Sequence, residues 1–176
     1  MRFSSLGSGS KGNSLIIEEQ RTRLLLDCGF SVKEITARLS RLGLQPDMLD
    51  GLIITHEHAD HISGVERLAR KFDMPIWLTH GTLRGAKKSL SLLPKINIID
   101  SHKSFSIGDI CIQPYPVPHD AQEPTQFIFD NGAFKLGVLT DTGCSTLHIE
   151  RVLNRCHALV LECNHDTQLL ASSNYP

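Results

Sequence analysis

Hydrophobic residues near the amino terminus fall in short runs broken by glycine and serine. Runs of this length, rich in Ile, Leu and Phe, are typical of β-strands joined by tight turns. They predict an initial strand meander over residues 2–6, 14–18 and 23–27.

A different spacing follows, with apolar residues three or four positions apart. This spacing predicts an amphipathic helix over residues 32–42, with a buried face carrying Ile35, Leu39 and Leu42. Ser31 is a suitable N-cap, and Gly43 follows as the expected stop.

The remaining pattern predicts two groups of strands with helices interspersed in both. Strands are expected over residues 52–55, 75–78, 96–99, 110–117, 126–129, 134–140 and 158–162, and helices over 63–72, 81–90 and about 145–154. Such an order favours an α/β (α+β) protein in which two sheets pack together. A length of 176 residues favours one domain spanning 1–176.

Composition narrows the class of protein further. The chain is 40% hydrophobic and 21% charged, as in globular proteins, and no apolar run is long enough to predict a membrane helix or a signal peptide. The net charge of −1 means that nucleic-acid binding would have to rest on a local patch. Five cysteines without a C-x-x-C pair argue against a disulfide framework and favour reduced thiols in a cytoplasm.

The strongest chemical signal is the run Thr55-His56-Glu57-His58-Ala59-Asp60-His61, between a predicted strand and a predicted helix. In an extended segment, residues two apart point the same way, so His56 and His58 can bind one metal ion together. Asp60 and His61 begin the turn into the helix and can face a second ion. The alternative is a polar loop without metal, although three crowded imidazoles have no evident structural use without an ion.

Further candidate ligands follow other predicted strands. His119 could complete a three-histidine site with His56 and His58, and Asp141 could bridge two ions. Asp141 could instead cap the helix near Ser145. Asp27 also ends a strand and could accept a hydrogen bond from a ligand histidine and fix its orientation. The alternative is an ordinary turn aspartate before Gly29.

The order of these residues resembles that of the metallo-β-lactamase superfamily. The resemblance covers nearly the whole chain and implies a four-layer αββα sandwich with a metal site on one edge. It implies two divalent ions, with zinc expected and manganese as the alternative, on the ligand set His56, His58, His119, Asp60, His61 and Asp141. The superfamily's last metal histidine lies after the bridging aspartate, and His165 is the only late histidine in a plausible loop.

Two shorter segments resemble the YycJ-type (WalJ-like) branch, namely Gly7-Ser8-Gly9-Ser10-Lys11-Gly12-Asn13-Ser14 and Glu162-Cys163-Asn164-His165-Asp166. This resemblance implies a phosphodiesterase or DNA exonuclease in which a metal-bound hydroxide attacks phosphorus. Asp60 would hold the second ion and orient the nucleophile, and nucleic acid or another phosphodiester would be the substrate. The formal Gly7-x-Gly9-x-x-Gly12 fingerprint does not predict dinucleotide binding, because a strand rather than a helix follows it.

Two other functions stay open. One is a thioesterase of the glyoxalase II type on the same scaffold, which would differ in substrate. The other is a catalytically incomplete domain that binds one metal ion. The ending Asn174-Tyr175-Pro176 is a turn signal with nothing after it, so we expect a C-terminally incomplete domain.

Overall fold

The amino-terminal half builds one sheet and the helices that cover it. The computed structural model describes residues 1–86, 88, 90–162, 168 and 172. In chain order the elements of this half are β1 (Arg2–Gly7), β2 (Ser14–Glu19), β3 (Thr22–Leu26), α1 (Val32–Ser40), β4 (Gly51–Ile53), α2 (Ala59–Ile62), α3 (Val65–Phe72), β5 (Ile76–Thr79), α4 (His80–Gly85) and β6 (Ile96–Ile99). Single 3₁₀ turns cover Pro46–Met48 and Leu90–Leu92.

The second half builds another sheet, which helix α5 covers. Its elements are β7 (Phe105–Ile107), β8 (Ile110–Pro116), β9 (Thr125–Asp130), β10 (Lys135–Leu139), α5 (Leu147–Leu153) and β11 (Ala158–Leu161). Within the described residues, the strand order is β1-β2-β3-β4-β5-β6 in the first sheet and β11-β10-β9-β8-β7 in the second.

Strand direction changes within each sheet. The predicted meander is confirmed, because β1, β2 and β3 pair antiparallel. From β3 to β6 the pairing is parallel, which brings the carboxyl ends of β3, β4 and β5 to one edge. The glycine-rich segment joins β1 to β2, so the expectation that it is a turn between strands is also confirmed.

Successive side chains of the central strands point to opposite faces of the sheet, and this alternation produces the layers. On β4, Leu52 belongs to the apolar cluster under α1 and α3, and the next residue, Ile53, belongs to the cluster between the sheets. The inter-sheet cluster also includes Phe127 and Phe129 of the second sheet. Ile128, between them in the chain, packs on the other side of that sheet with Ile149 of α5. The result is helix, sheet, sheet and helix in four layers, which confirms the predicted αββα sandwich.

Helix boundaries differ from the sequence-based expectation in three places. Ser31 is the N-cap of helix α1, as predicted, and forms a capping box with Glu34. The helix ends at Ser40, however, and Leu42 is 45% exposed rather than buried. The chain leaves the helix there because Gly43 adopts a left-handed φ of 73°. The helix predicted over 63–72 begins at Val65 as α3, and a separate short helix that was not predicted, α2, precedes it. The helix predicted over 81–90 ends at Gly85.

One strand was not predicted from the sequence. Three-residue β7 pairs with β8 at the end of the second sheet through a turn at Gly108, where φ is 53°. A run this short carries too few positions for an alternating pattern to emerge. Among the described residues, no helix combines the length and the apolar character that crossing a membrane requires.

Candidate metal centre

The chemistry-bearing residues of four strands meet at one edge of the sandwich. Asp27 follows β3 and His56 follows β4, so the parallel pairing of these strands brings both residues to the same edge. His119 follows β8 and Asp141 follows β10 in the facing sheet. The site is therefore built from the ends of strands in both sheets.

Three histidines form the first group. His119 Nε2 lies 3.2 Å from His56 Nε2 and 3.1 Å from His58 Nδ1. His56 is buried, and the other two are half-buried. The structure thus brings the three predicted ligands of one ion together, with a nitrogen of each ring facing the others.

Hydrogen bonds determine the orientation of His56. The Thr55 hydroxyl lies 2.8 Å from Asp27 Oδ2 and 2.9 Å from His56 Nδ1. Because the carboxylate can only accept, the hydroxyl donates to Asp27 and accepts from His56 Nδ1–H. This tautomer leaves the lone pair of His56 Nε2 facing His58 and His119.

The second group consists of His56, His61 and Asp141, whose ligand atoms lie within 4.8 Å of one another. His61 Nε2 is 3.1 Å from Asp141 Oδ2, and His61 Nδ1 is 2.8 Å from Asp27 Oδ2. Asp60 belongs to neither group, and its Oδ2 lies 3.5 Å from His61 Nε2. The sequence-based assignment paired Asp60 with His61 and placed His56 with the first ion only, whereas here His56 contributes to both groups.

Burial and charge set the protonation of this edge in the metal-free protein. Burial and the neighbouring positive His61 lower the pKa of His56 to about 2, so that ring is neutral. Burial also disfavours charge on His61, but the carboxylates of Asp27 and Asp141 outweigh it and raise the pKa of His61 to about 10. Burial opposes ionisation of Asp141, yet its interaction with His61 lowers the pKa of Asp141 to about 2. The carboxylates of Asp27 and Asp141 therefore favour a positively charged group beside them at this edge.

The donor set fits a divalent cation. Two nitrogens bound tetrahedrally to zinc at about 2.0–2.1 Å are about 3.3–3.4 Å apart, close to the separations in the three-histidine group. Asp141 Oδ2 is buried and receives no well-aligned hydrogen bond from the described residues, although His61 Nε2 is nearby. Imidazole and carboxylate ligands suit zinc and also manganese.

The loop that carries His119 is held by residues of the amino-terminal half of the chain. Glu57 Oε1 accepts from Gln122 N at 2.7 Å, and Glu123 Oε2 accepts from Gly81 N at 2.7 Å. Sequence reasoning assigned no role to either glutamate. Glu57 lies within the histidine motif, which was the available signal, but its partner is 65 residues away.

Three more polar residues of the site were missed. Thr55 was quoted only as part of the motif, Asn13 was part of the glycine-rich turn, and Glu162 Oε2 accepts from Asp141 N at 2.9 Å. The signal for each was a polar residue directly beside a strand end. Asp27 and Asp141 both adopt left-handed φ values, 58° and 47°, which aspartate tolerates better than most residues.

Other histidines lie outside this edge. Neither group includes His80, His102, His148 or His157. His165, the late histidine weighed as a ligand, lies outside the described residues, as do Cys163 and the rest of its segment to Asp166.

Comparisons with known proteins agree with this architecture. The family model described as "Beta-lactamase superfamily domain" matches residues 22–171. The exodeoxyribonuclease YycJ of Bacillus anthracis is 36% identical over 180 residues, covering 100% of this chain and 67% of that protein. The exodeoxyribonuclease WalJ of Streptococcus pneumoniae serotype 2 is 37% identical over 181 residues, covering 99% of this chain and 66% of that protein.

A solved structure shows the same fold. The metallo-β-lactamase fold protein YhfI from Bacillus subtilis superimposes with a TM-score of 0.75 at 19% identity, covering 93% of this chain and 70% of that chain. The present chain spans about two thirds of the length of the curated relatives it matches. The family match and the two full-chain relatives show that this chain belongs to the beta-lactamase superfamily and has the metallo-β-lactamase fold.

Proposed function

We propose that residues 1–176 form one domain of a metal-dependent hydrolase that cleaves phosphodiesters in DNA as an exonuclease. The observation that carries this proposal is the full-chain similarity to two proteins named exodeoxyribonucleases. The clustered imidazoles and carboxylates support it, because metal-assisted phosphodiester hydrolysis uses such ligands.

The proposed roles follow from the groups at the sheet edge. His56, His58 and His119 hold one divalent ion, while His61 and Asp141, with Asp60 beside them, hold a second. Asp27 orients His61 through its Nδ1–H. A bound divalent ion would lower the pKa of a coordinated water towards about 7, providing hydroxide at neutral pH, and would stabilise negative charge on the substrate. Zinc is the ion we expect, with manganese as the alternative.

The test combines metal content with substrate choice. The metal-loaded chain is assayed on an end-labelled DNA duplex, bis(p-nitrophenyl) phosphate and a glutathione thioester. We expect both phosphodiesters to be hydrolysed and the thioester to be spared. His58→Ala should lower bound metal and reduce hydrolysis by about 100-fold or more. His148→Ala, which changes an exposed histidine on α5, should match the wild type.

Two outcomes would contradict the proposal. Hydrolysis of the thioester alone would indicate a glyoxalase II-like enzyme on this fold. Metal binding without hydrolysis of any of the three substrates would indicate a catalytically incomplete metal-binding domain.

A further inference from the structure

Asn13 connects the glycine-rich turn to the histidine motif. Its Nδ2 donates to Asp60 Oδ2 at 3.0 Å and lies 3.0 Å from His61 Nε2. The two residues that it contacts are the ones assigned above to the second ion. Asn13 is 47 residues away from Asp60 in the chain, so this contact depends on the tertiary fold.

The orientation of the Asn13 amide follows from its partners. Gly9 N donates to Asn13 Oδ1 at 2.9 Å, and a backbone N–H requires an acceptor there. Nδ2 must therefore face Asp60, and its two protons are directed to Asp60 Oδ2 and to Gly9 O at 3.3 Å. Nδ2 also lies close to His61 Nε2, so the side chains of Asn13, Asp60 and His61 meet at one point.

Backbone hydrogen bonds also hold Asn13 in place. Asn13 N donates to Asp60 O at 2.7 Å, and Asn13 O accepts from Gly29 N at 3.0 Å. A Cβ on Gly29 would lie 1.8 Å from Asp60 O and 2.8 Å from Gly12 Cα, so only glycine permits this approach. Gly12, directly before Asn13, is also restricted, because a Cβ there would lie 2.6 Å from the Phe30 ring.

We propose that Asn13 is a positioning residue that holds the Asp60 carboxylate beside His61 and thereby sets the affinity of the second metal site. This inference rests on the proposed function, because it takes the Asp60–His61–Asp141 side as a metal site. The side chain of Asp60 is 28% exposed, so its carboxylate would rotate more freely without the Asn13 donor. Hydrogen-bond partners of metal ligands typically change metal affinity by about 10–100-fold.

The first test is a calorimetric titration of the metal-free chain with Zn²⁺. We expect two binding steps in the wild type. In Asn13→Ala, the second step should weaken by about 10–100-fold, while the step assigned to the three-histidine group should change by less than about threefold. Asn97→Ala is the matched control, because Asn97 donates to Ile76 O on the distant β5 strand and should leave both steps unchanged.

The second test needs no substitution and covers the case in which Asn13→Ala does not fold. Side-chain amide resonances of the ¹⁵N-labelled wild type are followed during the same titration. The Asn13 resonances should shift with the second equivalent of Zn²⁺, whereas those of Asn97 should not.

Three results would overturn the inference. These are an unchanged second step in a folded Asn13→Ala, Asn13 resonances that ignore the second equivalent, and a wild type that binds only one ion. Failure of the proposed function is separate, since it would appear as two bound ions without phosphodiester hydrolysis.

Discussion

At the scale of single residues, one hydroxyl links the two groups of side chains in the candidate metal centre. Thr55 Oγ1 accepts from His56 Nδ1 and donates to Asp27, whose same oxygen accepts from His61 Nδ1. The backbone N–H of Thr55 also donates to Asp27 Oδ1 at 2.9 Å. Since Thr55 is fully buried, water cannot replace the hydroxyl without rearrangement.

Removing this hydroxyl should loosen the first group. Thr55→Val keeps the shape but leaves the buried His56 Nδ1–H without an acceptor. We expect zinc affinity of the three-histidine group to fall by about 10–100-fold and the free energy of unfolding to fall by about 1–3 kcal/mol. Calorimetric titration and denaturant unfolding measure the two effects.

Thr55→Ser is the matched control, because it retains the hydroxyl and should keep most of the zinc affinity. If Thr55→Val and Thr55→Ser bound zinc equally well, the hydroxyl would have no orienting role.

At the scale of elements, the connection from β8 to β9 determines where His119 lies. Directly after this loop, Thr125 N at the start of β9 donates to Thr55 O at 3.1 Å, in addition to the two glutamate contacts. Gly81 and Gly85 make room for those glutamates. A Cβ on Gly85 would lie 2.6 Å from Glu57 Oε1, and a Cβ on Gly81 would lie 2.3 Å from Glu123 Cβ. Helix α4 therefore supports a loop of the opposite sheet.

Loss of the Glu57 contact should affect metal binding more than folding. Glu57→Ala removes the acceptor for Gln122 N, so we expect zinc affinity of the three-histidine group to fall by about 10-fold. Zinc titration measures this, with thermal unfolding to establish that the fold is intact.

Glu57→Gln separates the hydrogen bond from the charge. Its amide oxygen can still accept from Gln122 N, so its zinc affinity should stay close to that of the wild type. An equal loss in both variants would mean that the negative charge, rather than the hold on the loop, is what matters.

At the scale of the whole molecule, the apolar layer between the sheets sets the distance between the site residues of the first sheet and those of the second. Phe129 is fully buried there and pairs with Ile112 on β8 and Leu136 on β10. Phe127 and Ile53 belong to the same layer. Because ligands come from both sheets, stability and site geometry depend on the same packing.

A cavity in this layer should destabilise the whole domain. Phe129→Ala should lower the free energy of unfolding by about 3–5 kcal/mol, which for a chain of this size lowers the thermal midpoint by roughly 6–20 °C. Phe134→Ala is the matched control, since Phe134 is 56% exposed and its removal should shift the midpoint far less. Similar shifts in both variants would argue against a single packed layer between the sheets.

The sequence alone was enough to predict the architecture and the position of the candidate chemistry along the chain. Strand and helix periodicity, the Ser31 cap and turn glycines act over a few residues, so most elements and an α/β class with two packed sheets could be predicted from local patterns. The motif from His56 to His61 was recognisable for the same reason. The four-layer αββα arrangement was implied by the resemblance to the metallo-β-lactamase superfamily. Three-residue β7 and the separate short helix α2 were missed. Strand β7 depends on pairing with β8, and Gly64, which follows α2, approaches the distant backbone of Phe30.

Only the tertiary structure decided which side chains meet at the sheet edge. It placed His56 in both groups, Asp60 in neither and Asn13 against Asp60, and it brought Glu57 to the loop of His119. His119 and His56 are 63 residues apart in the chain. Distances of this kind depend on the stacking of two sheets and on loop hydrogen bonds, which no local pattern of hydrophobic and polar residues specifies.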